Sequence, residues 1–362
     1  MKIKTITCHD VYNVGASLQA YALATYLNSL GHETEIIDYK PDYLVHYKLR
    51  GVGNPKYDKP FLREAYQLAK LPGRIKERCS KRKKEFDEFT EEFLPLTSRR
   101  YASNDELKRF PPDADCYIAG SDQIWNTFFQ NGKDPAFYLD FAPAGRIRAS
   151  YAASFATEDV ADEWKEQIGE WLSRFDCISV REKSGVDIVK ALAPDKDAVE
   201  VLDPVFLLGR DEWMKIEKDL NLSEQYILVY DFDRSPDVRD FVLETAKRNG
   251  LKIYSILPLK YADRCFSKEG PRAFPYLVRN ARLIVSNSFH ATAFSLIFGK
   301  SLTVFYRNEK INTRMRDLLA SVGLSKAVNG FCAESSAEVT KALESRIIAS
   351  KEYLDQVLNS AK

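Results

Sequence analysis

The chain lacks long apolar runs, an excess of either charge and any paired cysteine motif, and each absence excludes a class of protein. No stretch approaches the ~20 apolar residues that cross a bilayer as a helix. The 53 basic and 52 acidic residues nearly cancel, which argues against a nucleic-acid partner held by bulk charge. The six cysteines are scattered without a CxxC motif, so neither a disulfide framework nor a metal site is expected. With a mean hydropathy of −0.35, we expect a soluble cytoplasmic protein.

The order of predicted elements indicates an α/β protein with two domains. Apolar strand patterns alternate with amphipathic helix patterns along most of the 362 residues, which is typical of parallel sheets. We assign residues 1–205 to a first domain, with an insertion at about 40–110, and residues 206–335 to a second. The helix pattern at 336–362 is predicted to pack back across the domains. Two such sheets facing one another leave a central cleft, where a ligand is expected.

The segment from 282 to 299 carries the strongest functional signal. A buried strand pattern at 282–286 is followed by a polar stretch and then by a helix pattern that ends at Gly299. Ser286, Ser288, Phe289 and His290 therefore stand where a strand meets a helix N-terminus, a common binding site for phosphate groups. A histidine beside a bound anion can titrate near neutrality. The alternative is that the serines are ordinary helix caps and the histidine is structural.

Two loops of the first domain contain polar groups suited to a polyhydroxylated ligand. One is the turn after the first strand, which includes Asn13. The other follows the strand at 115–119, and its candidates are Ser121, Asp122, Gln123, Trp125 and Asn126. Trp125 is predicted to stack on a sugar ring, because functional residues often lie on loops held by a rigid scaffold. The alternative is a turn whose tryptophan belongs to the core.

Several cations could hold an anionic ligand. Arg181 follows the strand at 177–180 and could grip a phosphate or carboxylate through two hydrogen bonds, or else pair with Glu182. Arg307, Lys310 and Arg314 follow the strand at 302–306 and could complete an anion pocket. The basic stretch at 74–84 is diluted by acidic residues, so we expect a solvated helix face with at most peripheral membrane contact.

Together these segments resemble the polysaccharide pyruvyl transferase family. The resemblance extends over residues 12–23, 117–126, 178–182, 203–204 and 286–299. It implies two Rossmann-like domains arranged as in a GT-B glycosyltransferase, with the acceptor side in the first domain and the donor side in the second. By position, Arg181 and His290 correspond to the donor-binding and catalytic residues of the family.

The resemblance also implies a reaction. Pyruvate would pass from phosphoenolpyruvate, the donor co-substrate, to a sugar of a cell-surface or capsular polysaccharide or its lipid-linked precursor, as a ketal. Phosphate would be released, and no cofactor would be needed. Many members have an arginine where this chain has Ser288, so Arg307, Lys310 or Arg314 is expected to supply the missing cation. Two alternatives are a GT-B glycosyltransferase that uses a nucleotide sugar and a non-catalytic carbohydrate-binding relative.

Overall fold

A computed structural model describes residues 1–47, 60–307, 312–334 and 336–359. Its first half is built on a parallel five-stranded sheet with the strand order β3-β2-β1-β4-β5. These strands are β1 (Lys2–Ile6), β2 (Glu33–Tyr39), β3 (Leu96–Tyr101), β4 (Cys116–Ala119) and β5 (Ile147–Ser150). A further parallel pair, β6 (Ile178–Val180) and β7 (Ala198–Glu200), is joined to the β5 end of the sheet by isolated bridges.

A second parallel five-stranded sheet has the order β10-β9-β8-β11-β12. Its strands are β8 (Tyr226–Tyr230), β9 (Lys252–Ser255), β10 (Arg264–Cys265), β11 (Leu283–Ser286) and β12 (Leu302–Val304). Every residue of β8 and of β11 is buried. Continuous apolar strands of this kind are expected where helices cover both faces of a parallel sheet.

Helices cover these sheets in chain order. The first half contains α1 (Val14–Ser29), α2 (Pro60–Arg78), α3 (Lys81–Phe93), α4 (Asn104–Arg109), α5 (Lys165–Leu172) and α6 (Lys183–Leu192). The second contains α7 (Arg210–Ile216), α8 (Pro236–Asn249), α9 (Ala273–Asn280), α10 (Phe289–Ile297) and α11 (Thr313–Ser321), and α12 (Ala337–Asn359) follows. Within the described ranges, no helix combines the length and the apolar character needed to span a membrane.

The stretch predicted as an insertion contributes a strand to the first sheet. Within it, β3 pairs in parallel with β2, with Tyr101 opposite Tyr39. The strand was missed because it lies at the sheet edge, where Ser98, Arg99 and Arg100 are exposed and interrupt the apolar pattern. Residues 96–101 therefore belong to the sheet, which corrects the predicted boundaries of the insertion.

The C-terminal helix α12 packs on the first sheet. Leu354 and Val357 are fully buried in one cluster with Ile3 of β1 and Ile118 of β4. The Tyr353 hydroxyl donates a hydrogen bond of 2.8 Å to the carbonyl oxygen of Ser150. The chain thus returns from the second sheet to the first, and this contact links the two halves.

Candidate active site

Two helix N-termini, one from each half of the chain, line the same cleft. Asn13 caps α1, its side-chain oxygen accepting hydrogen bonds from the amides of Gly15 (2.9 Å) and Ala16 (3.2 Å). Ser288 caps α10, and its hydroxyl accepts a hydrogen bond from the amide of Ala291 at 3.4 Å. Helix N-termini carry a partial positive charge and free N–H groups. Their convergence therefore favours an anionic ligand.

The cleft encloses a pocket of about 170 Å³. Its lining comes from the ends of strands in both sheets and from the helices that follow. The lining residues are Asn13, Gly15, Asp122, Gln123, Tyr230, Phe232, Asn287, Ser288, Phe289, His290, Arg307, Asn312, Arg314 and Met315. Many of the residues predicted from the sequence as site candidates are thus brought together in one pocket.

His290 lies in the first turn of α10, against Gly15 of α1. A β-carbon built on Gly15 would overlap the imidazole ring, so the absence of a side chain there makes room for the histidine. His290 is 8% exposed, and its Nε2 atom lies 3.7 Å from Oδ2 of Asp203. Among the described residues this nitrogen has no hydrogen-bond partner. An unpaired buried nitrogen is available to a substrate.

Opposing influences act on the protonation of His290. Burial is the largest and lowers the pKa of the imidazole. The carboxylates of Asp203 and Asp122 favour the charged ring, whereas the guanidinium groups of Arg181 and Arg314 disfavour it. The net result is a pKa below the ordinary value. Negative charge brought in by a bound phosphate would favour the protonated ring.

Arg181 follows β6 and is almost completely buried, with 4% of its surface exposed. Its Nη1 donates a hydrogen bond of 2.5 Å to Oδ2 of Asp203, and its Nη2 lies 3.6 Å from Oδ1 of Asp122. Burial works against its charge, but Asp203, Asp122 and Glu182 outweigh it and raise the pKa of the guanidinium. Within the described part of the chain, its Nε and Nη2 donors have no hydrogen-bond partner. Arg181 is thus a permanent cation with unused donors.

Arg314 supplies a second buried cation from α11. Its Nη1 lies 4.0 Å from Oδ1 of Asp122, and its Nε has no hydrogen-bond partner among the residues that the structure describes. Burial and the neighbouring Arg181 lower its pKa to about 10, so it remains charged at neutral pH. The centres of the Arg181 and Arg314 guanidinium groups lie 4.7 and 5.8 Å from the centroid of the Phe289 ring.

The remaining candidates for anion binding differ in their positions. Arg307 lines the pocket and pairs with Asp233, its Nε lying 3.3 Å from Oδ1. Ser286 is buried and turned inward, since its hydroxyl donates to the carbonyl oxygen of Tyr230 and accepts from the amide of Ser288. Lys310 lies outside the described residues.

The loop at 120–126 divides between pocket and core. Asp122 and Gln123 line the pocket. Asp122 adopts a left-handed backbone with φ of 76°. Ser121 is fully buried behind them, and its hydroxyl donates a hydrogen bond of 3.1 Å to Oδ2 of Asp203. Ser121 therefore supports the site from below and is not a surface for an acceptor.

Trp125 and Asn126 are core residues, which corrects their predicted role as acceptor-binding groups. Trp125 is 0% exposed, stacks on Tyr138 with ring centroids 5.4 Å apart, and donates its indole N–H to the carbonyl oxygen of Phe137 at 2.9 Å. Asn126 is also 0% exposed and donates to the side-chain oxygen of Gln123. The loop turns these side chains inward because their polar atoms are satisfied inside the first domain.

The sequence interpretation missed Asp203 and Gly15. Asp203 appears in the sequence only as half of an Asp-Pro pair, yet its carboxylate lies next to Ser121, Arg181 and His290. Gly15 was noted as a turn residue, whereas its role is to accommodate the His290 ring. Among the described residues, no group of three or more His, Cys, Asp or Glu side chains could hold a metal ion.

The fold and the cleft define the class of protein. The structure resembles a Rickettsia bellii UDP-N-acetylglucosamine 2-epimerase at 13% identity and a TM-score of 0.50, covering 100% of this chain and 97% of that one. It also resembles a Listeria monocytogenes protein assigned as the same kind of enzyme, at 11% identity and 0.52, covering 99% and 90%. Such low identities show the fold alone, which is GT-B-like with parallel sheets in two halves.

The family follows from the sequence. The family model for polysaccharide pyruvyl transferase matches residues 13–309. Because this match covers most of the chain, the protein belongs to the polysaccharide pyruvyl transferase family, a family of transferases. No curated protein matches the chain significantly.

Proposed function

We propose that the protein transfers pyruvate from phosphoenolpyruvate to two hydroxyl groups of one sugar, forming a ketal and releasing phosphate. The acceptor would be a residue of a cell-surface or capsular polysaccharide, or of its lipid-linked precursor. The observation that carries this proposal is the pair of buried arginines, Arg181 and Arg314, whose unused N–H donors lie in the same site as His290. Among the described residues these donors have no partner, and buried donors without partners call for a ligand.

The donor fits the chemistry of this site. Phosphoenolpyruvate carries a phosphate and a carboxylate, which suit two guanidinium groups and the N-termini of α1 and α10. The pocket of about 170 Å³ is smaller than the roughly 300–1,000 Å³ typical of sites for drug-sized ligands. This size favours a three-carbon donor over a nucleotide sugar.

His290 is the proposed acid and base. As imidazolium, it donates a proton to the methylene carbon of the donor, which becomes the methyl group of the ketal. The first sugar hydroxyl oxygen bonds to the central carbon and gives its proton to the imidazole. The bond from this carbon to the phosphate oxygen then breaks, and the second hydroxyl oxygen bonds in its place. The second hydroxyl proton leaves with the phosphate.

The two cations and the helix termini would stabilise the charge that develops during these steps. Arg181 and Arg314 would neutralise the departing phosphate and hold the carboxylate in place. Ser288 offers only a hydroxyl and the adjacent helix terminus, so the positive charge at this site would come from Arg314 and Arg307.

The direct test is an assay of the full chain with phosphoenolpyruvate and a panel of oligosaccharide acceptors. The expected result is acceptor-dependent phosphate release together with the mass of a pyruvyl ketal on the sugar. Parallel incubations replace phosphoenolpyruvate with UDP-linked sugars. Glycosyl transfer from these, with no ketal from phosphoenolpyruvate on any acceptor, would contradict the proposal and favour a nucleotide-sugar glycosyltransferase.

A further inference from the structure

We propose that Asp203 is a positioning residue, which fixes the Arg181 guanidinium and supplies the negative charge that His290 needs in order to become protonated. The consequence for turnover rests on the proposed function. The electrostatic relationship between Asp203 and His290 does not, because it can be measured without any substrate.

The Asp203 carboxylate is fully buried and serves several groups at once. Its Oδ2 accepts hydrogen bonds from Nη1 of Arg181 (2.5 Å) and from the hydroxyl of Ser121 (3.1 Å). Its Oδ1 accepts one from the amide of Val205 at 3.1 Å. Nε2 of His290 lies 3.7 Å from Oδ2. A single carboxylate oxygen therefore faces both the proposed donor-binding cation and the proposed acid.

The backbone around Asp203 is held firmly. Residues 204–206 form a short 3₁₀ helix that Asp203 caps. The amide of Leu202 donates a hydrogen bond of 2.9 Å to the hydroxyl of Ser350 in α12. This segment connects the first sheet to the second, and it contacts groups from both halves. Its carboxylate can therefore set the position of Arg181 relative to His290, a role that a mobile surface residue could not perform.

The charges around His290 explain why this carboxylate matters. Asp203 and Asp122 favour a protonated ring, while Arg181, Arg314 and burial disfavour it. Asp203 is the stronger of the two carboxylate influences. Its neutralisation would leave Asp122 alone against two cations and desolvation. His290 would then hold a proton less readily, and an acid that cannot be protonated cannot deliver a proton to the donor.

A purely structural role for Asp203 would rest on its cap of residues 204–206, and the chain offers a matched control for that role. Asp134 also precedes a proline, is buried, and caps a 3₁₀ helix at 135–138 through a hydrogen bond of 3.0 Å from the amide of Ala136. Asp134 is absent from the charges that act on His290. Asp134→Asn therefore repeats the loss of a buried capping charge away from the site.

The experiment is an NMR pH titration of the full chain with isotope-labelled histidine. The chain has four histidines, so the His290 signal is identified by its loss in His290→Gln. Asp203→Asn is expected to lower the pKa of His290, whereas Asp134→Asn should leave it at the wild-type value. An unchanged His290 pKa in Asp203→Asn, or an equal change in both variants, would overturn the proposal.

A measurement on the wild type keeps the test valid even if Asp203→Asn fails to fold. Because Nε2 faces the carboxylate, the neutral ring is expected to carry its proton on Nε2, which nitrogen chemical shifts report. A neutral ring protonated on Nδ1 would contradict the proposal.

The kinetic consequence is tested separately. With an active acceptor, Asp203→Asn should reduce kcat by about 10–100-fold, as expected when a hydrogen bond to a charged group is lost. The fall of kcat at high pH should also move to lower pH, which a merely structural role would not cause. If the protein proves to use another donor, this kinetic prediction fails while the NMR result still decides the electrostatic proposal.

Discussion

The imidazole ring of His290 lies so close to Gly15 that any side chain at position 15 would overlap it. Three ring atoms, Nδ1, Cε1 and Cγ, are the nearest neighbours of a β-carbon built there. Gly15 belongs to α1 of the first half and His290 to α10 of the second. This contact therefore places the proposed acid at the helix N-terminus of the opposite half.

Gly15→Ala should reduce turnover by displacing His290. A shift of about 1 Å in a reacting group can cost about 10²-fold in rate, and we expect a loss of that order in kcat. Gly73→Ala is the control, because Gly73 lies in α2 with nothing within 4 Å of its built β-carbon. Equal kcat values for Gly15→Ala and wild type would show that the ring position is not critical.

His290→Gln should reduce kcat by about 10²–10⁴-fold, the usual contribution of a general acid or base. Glutamine retains polarity and similar size, so the fold should persist and the melting temperature should change little. His32→Gln serves as the control, since His32 follows the far end of α1. Near-normal turnover of His290→Gln would mean that the histidine is structural.

Binding of phosphoenolpyruvate should be accompanied by uptake of a proton. Burial holds the pKa of His290 below its ordinary value in the free protein, so the ring is neutral near pH 7. A bound anion raises this pKa, and the complex then holds more protons than the free protein. Affinity should therefore fall as pH rises. Calorimetry in buffers of different ionisation enthalpy measures the uptake, which should be absent from His290→Gln.

Arg314→Gln should weaken phosphoenolpyruvate binding by about 10–100-fold, the value of a lost charge-assisted hydrogen bond. Arg316→Gln is the matched control, because Arg316 lies in the same helix but is exposed and pairs with Glu158 and Asp317. Calorimetric titration of the donor compares the two variants. If wild type fails to bind and Ser288→Arg restores binding, Arg314 does not replace the arginine found in many relatives.

Trp125→Phe should affect stability and not the acceptor. The substitution removes the indole hydrogen bond and leaves the carbonyl oxygen of Phe137 unpaired, at a cost of about 1–3 kcal/mol in the free energy of unfolding. Denaturant unfolding measures this loss. The KM for the acceptor should stay at the wild-type value, because Trp125 is buried. An increased acceptor KM with unchanged stability would return Trp125 to the binding site.

The predicted position of the site was accessible from the sequence because carboxyl ends of parallel strands meet at one edge of a sheet. The residues around His290, Arg181 and Asp122 follow separate strand patterns, and the structure places all three within one cleft. The edge strand β3 was not accessible in this way. Its exposed centre removes the apolar pattern on which strand prediction depends.

The amino-acid sequence by itself determined the α/β class, the family and the strand ends at which candidate residues lie, because these depend on local patterns of burial and on motifs. Only the tertiary structure decided which way the side chains at those strand ends point. It turned Trp125 into the core, placed Asp203 between Arg181 and His290, and set Gly15 against the histidine ring. Each of these outcomes depends on packing between segments far apart in the chain, which no local pattern encodes.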